Sequence, residues 1–158
     1  MDTHYTLRPA TVDDVETIVS HRRRMFEEMG GAYGERPEVA SQAFRPWLIE
    51  RLQNGRYLAW LMLDSELKPV ASIGLWLLDW PPGPLDLSPY RGYIYTVYTQ
   101  PEHRRQGLAR RLLQACLDEC QTRGIPIVLL HASDAGRPLY LEMGFQQTNE
   151  MRLILKQR

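Results

Sequence analysis

The sequence predicts an α/β fold of the mixed α+β kind, a sheet covered by helices on both faces, and three observations predict it. Apolar residues recur at strand spacing and at helical spacing in segments ordered β-α-α-β-β-β-α-β-α-β. Residues 127–131 form a continuous apolar run ending at His131, the pattern of a strand covered on both faces. The chain is 158 residues long with 44% apolar and 24% charged residues, enough to bury a core without staples as one domain over residues 1–158.

Each element has its own signal. Residues 5–8 alternate as a short strand. Thr11 with Asp14 three residues on is a capping-box pattern that opens a helix. Val12, Val15, Ile18, Val19, Met25, Phe26 and Met29 follow at helical spacing, and Gly30-Gly31 ends the run. A second helix is expected from Pro37 to Asn54-Gly55, broken or kinked at Pro46. Residues 57–63 and 70–78 read as strands joined by a hairpin at 64–68. Pro81, Pro82, Gly83, Pro84 and Pro89 make residues 79–90 an irregular surface loop. A strand over 92–98 runs into a helix over 106–123, stopped by Gly124. A short helix over 137–143 ends at Gly144, and 151–155 reads as a last strand.

Charge and cysteine usage exclude several classes. Lys plus Arg and Asp plus Glu both number 19, so no whole-protein field draws nucleic acid. His21-Arg22-Arg23-Arg24 is spread around a helical turn and reads as a solvated face. Cys116 and Cys120, one helical turn apart, match no zinc pattern and read as small buried hydrophobes kept reduced. No metal site is expected. The first residues lack the apolar core of a signal peptide and no window reaches transmembrane length, so no membrane contact and a cytoplasmic location are expected.

The most informative stretch is Arg104-Arg105-Gln106-Gly107-Leu108-Ala109, placed between a strand and a helix start. The first turn of a helix leaves N–H groups without partners, and the helix dipole favours negative charge there. Gly107 removes a Cβ from the approach of a ligand, and Arg104 and Arg105 add charge-assisted donors. This is a phosphate-binding arrangement. It is neither a Gly-x-Gly-x-x-Gly nor a Gly-Lys-Ser/Thr loop, which disfavours a nucleotide-binding protein of another fold.

Downstream, after the strand ending at His131, stands Leu139-Tyr140-Leu141-Glu142-Met143-Gly144-Phe145. The strand–Arg-x-x-Gly-x-Ala–helix unit followed by strand–helix with Leu-Tyr-x-x-x-Gly-Phe resembles the GNAT superfamily of N-acetyltransferases, over nearly the whole chain in element order. The resemblance implies a mostly antiparallel sheet with one splayed parallel strand pair. It implies that acetyl-CoA is the acyl donor, its diphosphate on the N–H groups of Gln106, Gly107, Leu108 and Ala109 with Arg104 and Arg105 nearby. Its pantetheine arm would bond the backbone of Val97, Tyr98 and Thr99, where an N–H would also polarise the thioester carbonyl. Tyr140 would face the sulfur as general acid, since a phenol near pKa ~10 stays protonated at neutral pH.

The acceptor is less legible. Many relatives carry a glutamate on the strand before the loop, whereas Tyr93-Ile94-Tyr95-Thr96-Val97-Tyr98 has no carboxylate. Glu27, Glu28 and Asp79 lie in segments that border the acceptor cleft of the family. Tyr33, Tyr95 and Trp76 are the acceptor-site candidates, Tyr33 within the glycine-rich 30–34 segment. Trp76 and Trp80 otherwise read as packing, His131 as a structural histidine, and His103 as a phosphate contact or a solvated residue. The expected partner is a small-molecule or peptide amine, and a homodimer stays open because dimers are common in the family. The alternative function is a non-catalytic acyl-CoA-binding sensor or interaction module, motivated by the missing strand carboxylate.

Overall fold

The fold was obtained as a computed structural model, and the structure describes residues 4–30 and 36–156. Five strands form one sheet in the order β1-β2-β3-β4-β5. They are β1 (Thr6–Pro9), β2 (Tyr57–Leu63), β3 (Pro69–Asp79), β4 (Tyr90–Thr99) and β5 (Val128–Leu130). Pairing is antiparallel from β1 to β4 and parallel between β4 and β5. The helices are α1 (Val15–Met29), α2 (Pro37–Gln53), α3 (Leu108–Thr122) and α4 (Arg137–Glu142). The expected fold class is therefore the observed one.

Local chemistry sets the ends of these elements. The Asp14 carboxylate accepts the Thr11 N–H at 2.8 Å, the Thr11 hydroxyl accepts from Asp13, and a one-turn 3-10 helix (Val12–Asp14) leads into α1. Arg8 reaches the same carboxylate through two N–H groups at 2.8 and 2.9 Å, and this holds the Asp14 carboxyl below its usual pKa. Between β2 and β3, the Asp64 side chain accepts N–H groups from Glu66 and Lys68, an Asx-type turn.

The period-2 alternation of β2 feeds two cores. Tyr57, Ala59, Leu61 and Leu63 pack with Val15, Ile18, Val19 and Leu48 of α1 and α2. Trp60 and Met62 join Ile73, Leu75, Ile94 and the α3 residues Leu112, Leu113, Cys116 and Cys120. Both cysteines are buried thiols, as expected. Leu48, Leu61, Leu112 and Leu113 are fully enclosed, and truncating any of them to alanine should cost about 2–5 kcal/mol. One close approach ties β2 to β3. A Cβ on Gly74 would lie 1.7 Å from the Tyr57 hydroxyl, so the phenol crosses a backbone that only glycine provides.

Four expectations are corrected. α2 is not broken at Pro46 but runs unbroken through it. Before the proline, Phe44 packs under Arg22 of α1; after it, Trp47 meets Tyr57 and Trp76 edge-on and Leu48 is enclosed, so tertiary contacts on both sides of the proline hold the helix. The apolar run at 127–131 yields only a three-residue edge strand, and Val128, Leu129 and Leu130 are all half-exposed. Residues 151–155 form no strand. Met151, Leu153, Ile154 and Leu155 are 76–93% exposed, so nothing covers the outer edge of β5. For the same reason His131, past the end of β5, is exposed rather than enclosed.

Among the described residues no helix is long and apolar enough to cross a membrane. Among the same residues no group of three His, Cys, Asp or Glu side chains could hold a metal ion.

Candidate active site

The site begins at an irregularity in β4. Tyr95 is paired with Gly74 and Tyr98 with Ser72, so Thr96 and Val97 together stand against Ile73. Two residues opposing one is a β-bulge, which bends its strand. Thr96 sits there at φ 54°, a conformation costly for a β-branched residue. β5 is in register only with Gly92, Tyr93 and Ile94, so residues 95–99 have no partner on that side. This is the splayed parallel pair that the resemblance implies. Main-chain groups of Val97, Tyr98 and Thr99 border the opening, and unpaired backbone in such a place favours a ligand that supplies partners.

The bulge also resets the alternation of β4. Tyr95 and Tyr98, three residues apart, both pair with positions on one face of β3. Tyr95 lies beside Trp76, and Tyr98 beside His21 of α1 at 5.1 Å between ring centres. His21 is buried and its Nδ1 is 2.8 Å from the Ser72 hydroxyl. Burial and the charge of Arg24 push its pKa down to about 4. The solvated face expected for residues 21–24 thus holds only for Arg23 and Arg24; Arg22 is half-buried.

A one-turn helix (Pro101–His103) follows β4, and Arg105 at φ 62° and Gly107 at φ 75° swing the chain into α3. The left-handed backbone at Gly107 favours glycine, and a Cβ there would meet no protein atom within 4 Å, so the space beside it is open. The N–H groups of Gln106, Gly107, Leu108 and Ala109 bond to no described residue, as expected at a helix start. Leu108 is buried and Ala109 half-buried, so these two offer main chain only. Arg104 turns the other way. Its Nε donates to the Thr99 carbonyl at 2.9 Å and its guanidinium pairs with Glu28, which also accepts the Tyr98 hydroxyl at 3.1 Å. Arg105 is exposed, with no ion pair among the described residues. His103 bonds the Tyr5 hydroxyl at 2.9 Å.

Tyr140 in α4 belongs to the same buried cluster as Ile94, the last β4 residue paired with β5, and Leu108 and Leu112 of α3. Phe145 meets its ring edge-on at 6.0 Å, and a Cβ on Gly136 would fall 2.8 Å from that ring. The hydroxyl has no hydrogen-bond partner among the described residues. Burial raises its pKa, so it is a protonated phenol at neutral pH.

On the other sheet face, aromatic rings line the approach to β4. Trp47 contacts Trp76 at 5.5 Å, Trp76 contacts Tyr95 at 6.1 Å, Tyr95 stacks on Tyr93 at 4.7 Å, and Tyr93 meets His131 at 5.5 Å. The candidates Trp76 and Tyr95 are thus brought together, while Tyr33 lies outside the described residues. Phe44 and Trp47, in the region around Pro46 expected to border the acceptor cleft, belong to this region, as do Arg22 and Glu150, which the sequence does not single out. Phe44 and Trp47 stand at i and i+3 on α2, a readable signal; Glu150, in a segment without regular structure, gives none. Burial, with the neighbouring Tyr95 and Glu150, pushes Tyr93 up to about 12. Asp79 is displaced from this region. It pairs with Tyr90 at the start of β4 and bonds Arg56, roughly 15–20 Å along the strand from Tyr95. Glu27 is tied to Arg23 at the surface.

A strand opening beside an unbonded helix start, with a buried phenol below it, defines an acyltransferase-type α/β domain. The chain belongs to the acetyltransferase (GNAT) family, whose family model matches residues 16–145. A GCN5-related N-acetyltransferase from Ralstonia eutropha superposes with TM-score 0.90 at 37% identity, covering 96% of this chain and 99% of that one. A predicted acetyltransferase with acetyl-CoA from Clostridium acetobutylicum gives 0.88 at 27% identity, covering 96% of each chain. The aminoglycoside N-acetyltransferase AAC(6')-Iy, in complex with a CoA bisubstrate analogue, gives 0.74 at 16% identity, covering 98% and 99% of the two chains; this likeness concerns the fold. No curated protein sequence matches the chain.

Proposed function

We propose that the protein transfers an acetyl group from acetyl-CoA to a primary amine by direct attack. The observation that carries this reading is the opening where β5 leaves β4 after Ile94, followed in the chain by the unbonded N–H groups at the start of α3, with Tyr140 packed in the cluster of Ile94 and Leu108. The diphosphate takes the N–H groups of Gln106, Gly107, Leu108 and Ala109, where the helix dipole also favours it. The pantetheine arm takes the main-chain groups of Val97, Tyr98 and Thr99 that β5 leaves open. An N–H near Val97 or Tyr98 then stabilises charge on the thioester oxygen as the amine attacks. The new C–N bond forms, the C–S bond breaks, and the departing thiolate takes the Tyr140 proton. Support for acetyl-CoA comes from the Clostridium acetobutylicum relative, which carries it.

No carboxylate stands on residues 93–98, so an acceptor that arrives as the free amine, or yields its proton through water, suits this strand. The test is release of free thiol from acetyl-CoA across a panel of primary amines, with turnover above hydrolysis expected for at least one. Binding of acetyl-CoA without turnover on any amine would instead identify a non-catalytic acyl-CoA-binding module, the reading that the carboxylate-free strand favours.

A further inference from the structure

Arg22 is set apart from the other arginines. Its guanidinium lies over two rings, 4.1 Å from the centre of Phe44 on α2 and 4.9 Å from that of Phe26 on α1. No described carboxylate comes within 4.0 Å of it, although Arg23 and Arg45 close by hold Glu27, Glu38 and Glu16. Among the described residues, the other arginines without an ion pair are Arg24, Arg36, Arg105, Arg111 and Arg152, all exposed, whereas Arg22 is half-buried. Burial lowers its pKa, and its charge acts on Tyr57 and Tyr95.

A guanidinium is planar, with five N–H donors around its edge and none on its faces. Two ring contacts hold the group in place, and its N–H groups donate to no described residue, so they are open to an oxyanion through two parallel N–H···O bonds. The Arg22 nitrogens are not enclosed, although the residue is half-buried and has no ion pair among the described residues, so an anion arriving with a ligand can reach them. The charge is also well placed. Tyr95, on which it acts, stacks on Tyr93, and Tyr93 and Ile94 are among the last β4 residues still paired with β5. The acyl end of a donor lying in the opening would therefore be near.

We propose that Arg22 anchors the acceptor, and that the acceptor is an amine bearing a carboxylate or phosphate group set against the wall of Trp76, Tyr95 and Tyr93. This rests on the acetyltransferase reading and names the substrate class for it. The wall packs the body of the molecule, Arg22 takes the anionic group, and the amine is left pointing at the thioester.

Binding tests it independently of turnover. The protein with CoA is titrated calorimetrically with a panel of L-amino acids, each beside its amide, and with phosphoethanolamine beside ethanolamine. At least one anionic member should bind about tenfold or more tighter than its neutral counterpart. The amino-acid and phosphoethanolamine arms tell carboxylate from phosphate. Arg22→Met, which keeps an apolar stem between the rings, should abolish the preference, and Arg22→Lys should restore only part of it. The KM for acetyl-CoA should stay within about twofold in both variants. Equal affinity within every pair, or an Arg22→Met variant that retains the preference, overturns the proposal. An anion preference without thiol release from acetyl-CoA overturns the acetyltransferase reading while leaving the Arg22 site standing.

Discussion

At Tyr140 one oxygen atom separates two kinds of role. The ring is wedged between Phe145 and the Gly136 backbone, while the hydroxyl bonds to nothing among the described residues. Removing the oxygen alone should therefore leave stability nearly unchanged. Tyr140→Phe is expected to lower kcat by about 10²–10⁴, the usual worth of a general acid, with the KM for acetyl-CoA changed less than about threefold. Steady-state kinetics measure both, and an unchanged kcat would remove the phenol from the proton path. His21 makes a different prediction at the same scale. Burial holds its folded pKa at about 4, below the ordinary 6.5 of a histidine, so the unfolded chain takes up the proton first. Its contribution is complete above pH 6.5 and falls as the pH drops toward 4, by about 3 kcal/mol in all. Urea midpoints of the wild type and His21→Gln at pH 7 and 4.5 should show the wild type losing its advantage at the lower pH. An equal difference at both pH values would mean that the imidazole titrates normally.

Among the elements, the segment after α4 separates pattern from structure. Residues 151–155 have strand composition, yet Met151, Leu153, Ile154 and Leu155 are exposed and unpaired. Side chains that bury nothing contribute little to the fold of their own chain. Replacing Leu153, Ile154 and Leu155 by serine should shift Tm by no more than about 2 °C at low protein concentration. A wild-type Tm that rises with concentration, with no such rise in the variant, would show that a second copy covers the segment. The capping box at Thr11, the Asx turn at Asp64 and the end of α3 were legible because short-range hydrogen bonding decides them. No break occurs at Pro46 because Leu48 and Trp47 are anchored by residues remote in sequence, and β5 is shorter than its apolar run suggests because such a run does not reveal whether its outer neighbour is present. In the candidate site, the left-handed turn at Gly107 and the buried setting of Tyr140 were legible because each lies in a local motif. Arg22 and Glu150 were not, since their setting is assembled from α1, α2, β4 and the segment beyond α4.

For the whole molecule, the two cores lie on opposite sides of one sheet, and the opening between β4 and β5 is a gap in the sheet itself. A ligand bridging the end of β4 and the start of α3 should thus stabilise the fold as a unit. Acetyl-CoA at 100 times its Kd should add about 2.7 kcal/mol, read as a rise in Tm of about 5–10 °C. No shift at millimolar acetyl-CoA would end the donor assignment at its first step.

The bulge at Thr96 carries one consequence for variation. The groups it exposes toward the donor are amides and carbonyls, which every residue except proline possesses alike. With the donor held as proposed, its recognition along residues 97–99 would be insulated from side-chain drift, since most replacements there leave the main-chain atoms in place. The rings and the cation of the acceptor wall have no such protection, because each is a side chain. This architecture lets the acceptor change by point substitution while the donor stays constant, and it concentrates the freedom to acquire new substrates on α1, α2 and the Trp76–Tyr95 face.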